Sequence, residues 1–425
     1  MINQHSFKIK RNSDFSSQFC SPLYESYCFS NIPGTIKQLL GLSGEEEKLP
    51  SDVHSSSEVP YDLVILLLLD GFGWRFLEKY KEEFFFLRRF IEKGTISKLT
   101  AQFPSTTAAH ITCINTGLSV SQSGVFEWFY YEPALDRMIA PLLFSYAGDR
   151  QSETLKSTPI KPSQLYPTST FYETLRRGGV TSYGIQHASI ASSTYSKAMF
   201  SGAKMLTYTT LGEGLAHLSA LAKEKSSVKR YAYLYFGDID SIAHRQGLSS
   251  LAFEEGIGRC FNALEKWLSE QFHPVQKTAL IVTADHGLID VTPSTTFYLN
   301  EQLPEILPYL KKNRAQEPLV PAGSCRDFFL YVEEPHLEKA IALLKDKLKH
   351  VAVVVSTQEL IDKGFFGSKK PSSAFLKRVG NAVILPFKGE GVWWYEKDRF
   401  QQHFYAAHGG LTPEEMEIPF LFTNF

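Results

Sequence analysis

The run Leu63–Leu69 constrains the fold more than any other part of the chain: seven consecutive apolar residues end abruptly at Asp70-Gly71. Such a run reads as a strand buried on both faces, an environment found in a parallel sheet with helices on either side. It is too short to span a bilayer. Two similar runs come later in the chain. Tyr231–Phe236 leads into an Asp-rich turn, and Ala279–Thr283 leads into Ala284-Asp285-His286-Gly287. Between them Phe253, Ile257, Phe261, Leu264 and Leu268 recur at helical spacing, and Trp74–Lys93 reads as a helix after the first run. Strands alternating with helices predict a doubly wound α/β sheet. Ligands of such sheets bind beyond the carboxyl ends of the strands, and each of the three runs has an Asp there.

The rest of the chain divides around this pattern. Residues 1–58 read as an irregular N-terminal extension, with Gly44–Glu58 a charged, Ser-rich surface loop. Residues 59–425 form the main domain. Within it Phe328–Val332, a helix marked by Leu337, Ala340, Ile341, Leu344 and Leu348, and Val351–Val355 predict a small β-α-β subdomain, inserted over about 290–400. With 43% hydrophobic and 21% charged residues the composition is that of a globular protein. A net charge of −1 offers no basic surplus for a nucleic-acid polymer, so an anionic substrate must be drawn by a local field, which bound cations would supply. The five cysteines are scattered without a CxxC pair, which argues against a disulfide framework and leaves a Cys20–Cys28 bridge open. The first ten residues lack the apolar core of a signal peptide, so the expected location is the cytoplasm.

Six side chains are of the right type to bind divalent cations: Asp70, Asp240, His244, Asp285, His286 and His408. Each also has an ordinary explanation. Asp70-Gly71 is a common turn start. Asp240 and His244, four residues apart, share one helix face and suit either one ion or a surface ion pair; Asp238 is a rival ligand. Asp285-His286-Gly287 fits a polar turn, and a lone His408 fits a structural role. The segment Phe103-Pro104-Ser105-Thr106-Thr107-Ala108-Ala109-His110 reads as a helix start. Its threonines are good N-caps. They equally place a hydroxyl where the helix dipole and free N–H groups favour an anion.

Taken in order, Asp70, Thr107, Asp240, His244, Asp285, His286 and His408 resemble the alkaline phosphatase superfamily, and within it the nucleotide pyrophosphatase/phosphodiesterase branch. The resemblance runs from about residue 60 to 425. It implies a three-layer α/β/α sandwich around a mostly parallel sheet. It implies hydrolysis of a small-molecule phosphate ester, most simply a phosphodiester or nucleotide pyrophosphate, through a phosphothreonine intermediate and two divalent ions, zinc before manganese. Asp240, His244 and His408 would hold one ion; Asp70, Asp285 and His286 would hold the other, beside the Thr107 oxygen. The branch carries its nucleophile in Pro-x-x-Thr, nine residues before Thr-Gly-Leu. Here Pro104 precedes Thr107, and Thr116-Gly117-Leu118 begins nine residues further on, which selects Thr107 over Thr106. One departure stands out: where the branch has a phosphate-binding Asn, this chain has Trp128. Trp128, with Phe126 and Tyr130, suits either stacking on a flat substrate group or packing in the core or at the rim. The alternatives are a phosphomonoesterase or phosphomutase on the same scaffold, and a binding protein that has lost catalysis.

Overall fold

The computed structural model describes residues 1–9, 11–54 and 59–425. Seven strands form the central sheet: β1 (Leu63–Leu69), β2 (Thr95–Thr100), β3 (Thr181–His187), β4 (Ala203–Tyr208), β5 (Arg230–Phe236), β6 (Thr278–Thr283) and β7 (Glu417–Asn424). Their spatial order is β2-β7-β6-β1-β5-β3-β4. β1 pairs in parallel with both β5 and β6, and β3 pairs in parallel with β5 and β4. Only β7 runs against its neighbours, β2 and β6. All seven residues of β1 are buried, as a central strand covered on both faces requires. Helices flank the sheet, giving the mostly parallel α/β architecture that the strand runs predict and the three layers that the resemblance implies.

The direction of β7 decides where His408 lies. β1, β2, β5 and β6 share one direction, so their carboxyl ends lie at one rim of the sheet. The antiparallel β7 starts at that same rim, so the chain just before it, including His408, arrives beside the other strand ends.

Three local expectations are corrected. Trp74–Lys93 is two helices, Trp74–Tyr80 and Phe85–Lys93, not one. The break turns both Phe84 and Phe86 inward against Phe261, with ring centroids 5.1 and 6.1 Å away; a continuous helix would send them to opposite faces. The N-terminal stretch is not irregular throughout. Ile32–Leu39 is a helix, and Phe29, Ile32, Ile36 and Leu39 are fully buried. Bridges from Ile2 to Ile96 and from Cys28 to Thr100 lay this segment along β2, covering an otherwise open sheet edge. Cys20 and Cys28 form no disulfide: all five cysteines are free and buried. Of the expected surface loop, residues 44–48 are exposed, Leu49 and Val53 are buried, and residues 55–58 lie outside the described residues.

The β-α-β expectation finds its two strands, Phe328–Leu330 and Ala352–Ser356, and its helix, Leu337–Leu348. A third strand, Ala382–Pro386, lies between them and pairs antiparallel with both. This small sheet has its own core, in which Phe328, Leu330, Leu344, Val354 and Ile384 are buried together. Among the described residues no helix is long and apolar enough to cross a membrane.

Candidate metal and phosphoryl-transfer site

Asp70 follows β1 directly, and Asp285 and His286 follow β6 after one residue. Gly71 has a positive φ of 73°, and a side chain there would press on Asp240, so the turn that carries Asp70 needs glycine. Asp240 and His244 lie on the helix Asp238–Gln246, one turn apart, with His244 Nε2 3.2 Å from Asp240 Oδ1. Asp238 is exposed and joins no candidate metal group.

His408 is brought in by stitching between two loops. Ser105 pairs with Gly409, and the Ser105 hydroxyl donates to the Gly410 carbonyl at 2.7 Å. Gly409 has φ 123°, and a Cβ there would lie 2.5 Å from Ser324 Oγ. The His408 ring stacks on His286 with centroids 3.6 Å apart, and its Nε2 is 3.8 Å from Asp240 Oδ1. The helix Thr107–Thr116 starts at this junction. Thr106 is the buried cap residue and makes no side-chain cap; Thr107, the first helical residue, is part-exposed and its Oγ1 lies 3.1 Å from His286 Nε2.

The six acidic and imidazole side chains and Thr107 thus converge from five separate segments. His286 Nε2 is 3.3 Å from Asp70 Oδ1 and 3.4 Å from Asp285 Oδ2. Two groups of side chains have ligand atoms close enough to share an ion: Asp240 with His244 and His408, and Asp70 with Asp240 and His286.

The hydrogen bonds around the cluster fix its imidazoles in one orientation. Each imidazole uses Nδ1 on a backbone carbonyl: His244 on Ala406 at 2.7 Å, His286 on Gly287 at 3.0 Å, His408 on Ser105 at 3.0 Å. A carbonyl can only accept, so Nδ1 carries the proton and the Nε2 lone pair is left to point at the centre of the cluster. His110 is the contrast. Its Nδ1 meets the Thr106 carbonyl and its Nε2 accepts from the Gln102 N–H, so it is a satisfied core histidine. Three carboxylate oxygens, Asp70 Oδ1, Asp240 Oδ1 and Asp285 Oδ2, are buried and accept no hydrogen bond. Burial and then the charges of Asp285 and Asp240 push Asp70 well above the usual carboxylate range. Burial raises Asp285 as well. Burial also opposes the Asp240 carboxylate, but the facing imidazoles outweigh it and hold Asp240 low. Acceptor atoms that repel one another and lack donors are costly to bury unless a cation joins them. The donor set fits a divalent metal.

A cleft of about 440 Å³ opens from Thr107, Asp240, His244 and His408. Its walls are largely aromatic: Trp128, Phe129, Trp393, Phe400 and Phe404. Of the three aromatic residues singled out in the sequence, only Trp128 lines this cleft, with 38% of its surface exposed. Phe126 and Tyr130 are fully buried and stacked on each other at 5.0 Å, with Phe126 also against Phe329 and Phe375; they belong to the core. The two-residue spacing would align all three in a strand, but residues 124–129 are a loop, so the side chains diverge.

Several supporting residues carry no signal in the sequence. Trp393, Phe400 and Phe404 come from a segment far from Trp128. Glu127 is buried at the cleft wall and Asp327 is fully buried beside it; burial pushes Glu127 up to about 8, and burial plus the Glu127 charge raises Asp327. Arg326 and Glu415, both fully buried, form a two-pronged pair at 3.0 and 2.9 Å, and Glu415 also accepts from Gly410 N–H at 3.0 Å. That pair ties the inserted sheet to the loop that carries His408.

These features agree with comparisons to known proteins. The family model described as type I phosphodiesterase/nucleotide pyrophosphatase matches residues 64–411, most of the chain. No curated protein matches the chain by sequence. Among solved structures, murine ectonucleotide pyrophosphatase/phosphodiesterase 5 is similar with a TM-score of 0.61 at 17% identity, covering 84% of this chain and 87% of its own. The human counterpart gives 0.62 at 16%, covering 85% and 87%. Phosphonoacetate hydrolase from Sinorhizobium meliloti 1021 gives 0.60 at 15%, covering 85% and 90%. At such identities the likeness shows the fold, while the family match covers the segments that carry the site. The chain belongs to the type I phosphodiesterase/nucleotide pyrophosphatase family of the alkaline phosphatase superfamily and is a phosphoester hydrolase.

Proposed function

We propose that the enzyme cleaves a small phosphodiester or nucleotide pyrophosphate with Thr107 as nucleophile, beside two divalent cations. The observation that carries the reading is the Thr107 hydroxyl, 3.1 Å from His286 Nε2 and at the open end of the acid and imidazole cluster. Asp240, His244 and His408 would hold one cation; Asp70, Asp285 and His286 would hold the other. When bound, such ions lower the pKa of a coordinated hydroxyl and neutralise charge on the leaving oxygen.

The chain's own residues do the rest. As the first residue of the helix Thr107–Thr116, Thr107 presents its oxygen at the positive end of the helix dipole. The first N–H groups of a helix have no partner within it and can receive the phosphoryl oxygens. Thr107 Oγ loses its proton to solvent and bonds to phosphorus as the bond to the first alcohol breaks. Water then adds to the phosphothreonine, the Thr107–phosphorus bond breaks, and the hydroxyl is restored. Stacked on His286 and bonded to Ser105, His408 keeps the geometry fixed through both steps.

The cleft favours a diester over a monoester. Its only arginine or lysine among the described residues is Arg399, already paired with Glu396 at 3.0 Å, so little is offered to a dianion. The aromatic walls suit a flat, uncharged ester group. An inactive threonine-to-alanine variant of the murine relative has been solved with AMP, which supports both a threonine nucleophile and a nucleotide-like ligand.

Chelated enzyme should lose hydrolysis of bis(p-nitrophenyl) phosphate and regain it on adding zinc, less fully with manganese. The diester should be cleaved faster than p-nitrophenyl phosphate. Failure of every divalent ion to restore turnover would reject the reading, and a faster monoester would move the enzyme to the phosphomonoesterases.

A further inference from the structure

We propose that Tyr235 is a positioning residue for the Asp70 carboxylate, fixing which of its two oxygens is offered to a cation; the inference rests on the metal-dependent reading above. Strand register places the two side chains together. Tyr235 on β5 lies opposite Leu68 on β1, and Asp70 is two residues beyond Leu68, hence on the same face. Two residues of strand advance about 6.6 Å, roughly the reach of a tyrosine side chain. The phenol O–H donates a hydrogen bond to Asp70 Oδ2.

The consequence is an asymmetric carboxylate. Oδ2 is taken by the phenol, whereas Oδ1 is buried without a donor and faces His286 Nε2 at 3.3 Å. A carboxylate free to rotate would present either oxygen, or both. One held by a phenol presents a single oxygen in a single direction, which is how residues behind a metal site raise its affinity. Two further features hold the phenol itself. The Tyr235 carbonyl accepts from the Tyr208 hydroxyl at 2.7 Å. Residue 237 is glycine, and a Cβ there would lie 3.0 Å from the Tyr235 oxygen, so the chain leaves room for the phenol to pass.

Tyr235→Phe removes the donor and keeps the ring. Zinc titration of the metal-free protein against a chromogenic chelator measures both equivalents separately. The expected result is one equivalent weakened on the order of 10–100-fold, the other unchanged, and turnover recovered by excess zinc. Gly237→Ala, which crowds the same phenol, should weaken the same equivalent and covers the case in which Tyr235→Phe melts early. Unchanged affinity in both variants, or a loss shared equally by both equivalents, would overturn the assignment. Wild-type protein that binds no zinc would instead remove the metal-dependent reading and leave Tyr235 an ordinary hydrogen-bonded phenol.

Discussion

Thr107→Ala is expected to bring phosphodiester hydrolysis down to background, a loss of at least about 10⁴-fold, with metal content unchanged. In well-studied covalent hydrolases removal of the nucleophile costs on the order of 10⁶ in turnover, and positioning and electrostatics alone leave a residue of catalysis. The fold has no reason to suffer. Thr107 is part-exposed at the first position of its helix, the adjacent cap is Thr106, and alanine is the better helix former. The Thr107 oxygen touches His286, whose orientation is set by its other nitrogen on the Gly287 carbonyl, so the imidazole stays in place when the hydroxyl goes. Single-turnover assays with a chromogenic diester, beside a melting curve and elemental analysis, separate these effects. A variant that keeps a tenth of wild-type activity would take Thr107 out of the bond-making step and point to direct attack by water.

The second large effect is expected from His408→Ala: bound divalent metal falls from two equivalents to one, and turnover falls by more than about 100-fold, beyond what the loss of an outer partner costs. His408 is the only one of the three imidazoles supplied by the approach to β7. Without it Asp240 keeps His244 at 3.2 Å as its one close imidazole in that group. The scaffold beneath is independent of the ring: Ser105 holds the Gly409 and Gly410 backbone, and the Arg326–Glu415 pair holds the loop from below. Elemental analysis after gel filtration in metal-free buffer gives the count. Two equivalents retained by the variant would show that His408 is not a ligand.

How much of this site is legible in the sequence depends on what one-dimensional patterns can carry. A fully apolar strand that ends in Asp is visible because burial on both faces leaves no polar residue to interrupt it, and β1, β5 and β6 are legible for that reason. The acidic and imidazole residues are legible by type, and Thr107 only through the family resemblance, whose Pro-x-x-Thr register it matches. Packing contacts are not. Phe126, Trp128 and Tyr130 look alike in sequence, yet a loop turns two inward and one outward. The role of Tyr235 depends on strand register, which no single strand encodes. The helix Ile32–Leu39 does carry helical spacing in Ile32, Ile36 and Leu39, but surrounding Ser and Asn residues obscure it. The strand Ala382–Pro386 is far along the chain from the one it pairs with at Ala352–Ser356, so the small sheet reads as two strands and a helix until the chain is folded.

Both substitutions presuppose that these side chains surround a pair of cations. Anomalous diffraction at the zinc edge, from crystals of the zinc-loaded protein, tests that most directly. Two peaks are expected: one bounded by Asp240, His244 and His408, the other by Asp70, Asp285, His286 and the Thr107 oxygen. A map with no peak between β1, β6 and the Asp238–Gln246 helix, or with zinc only at surface histidines, would contradict the account.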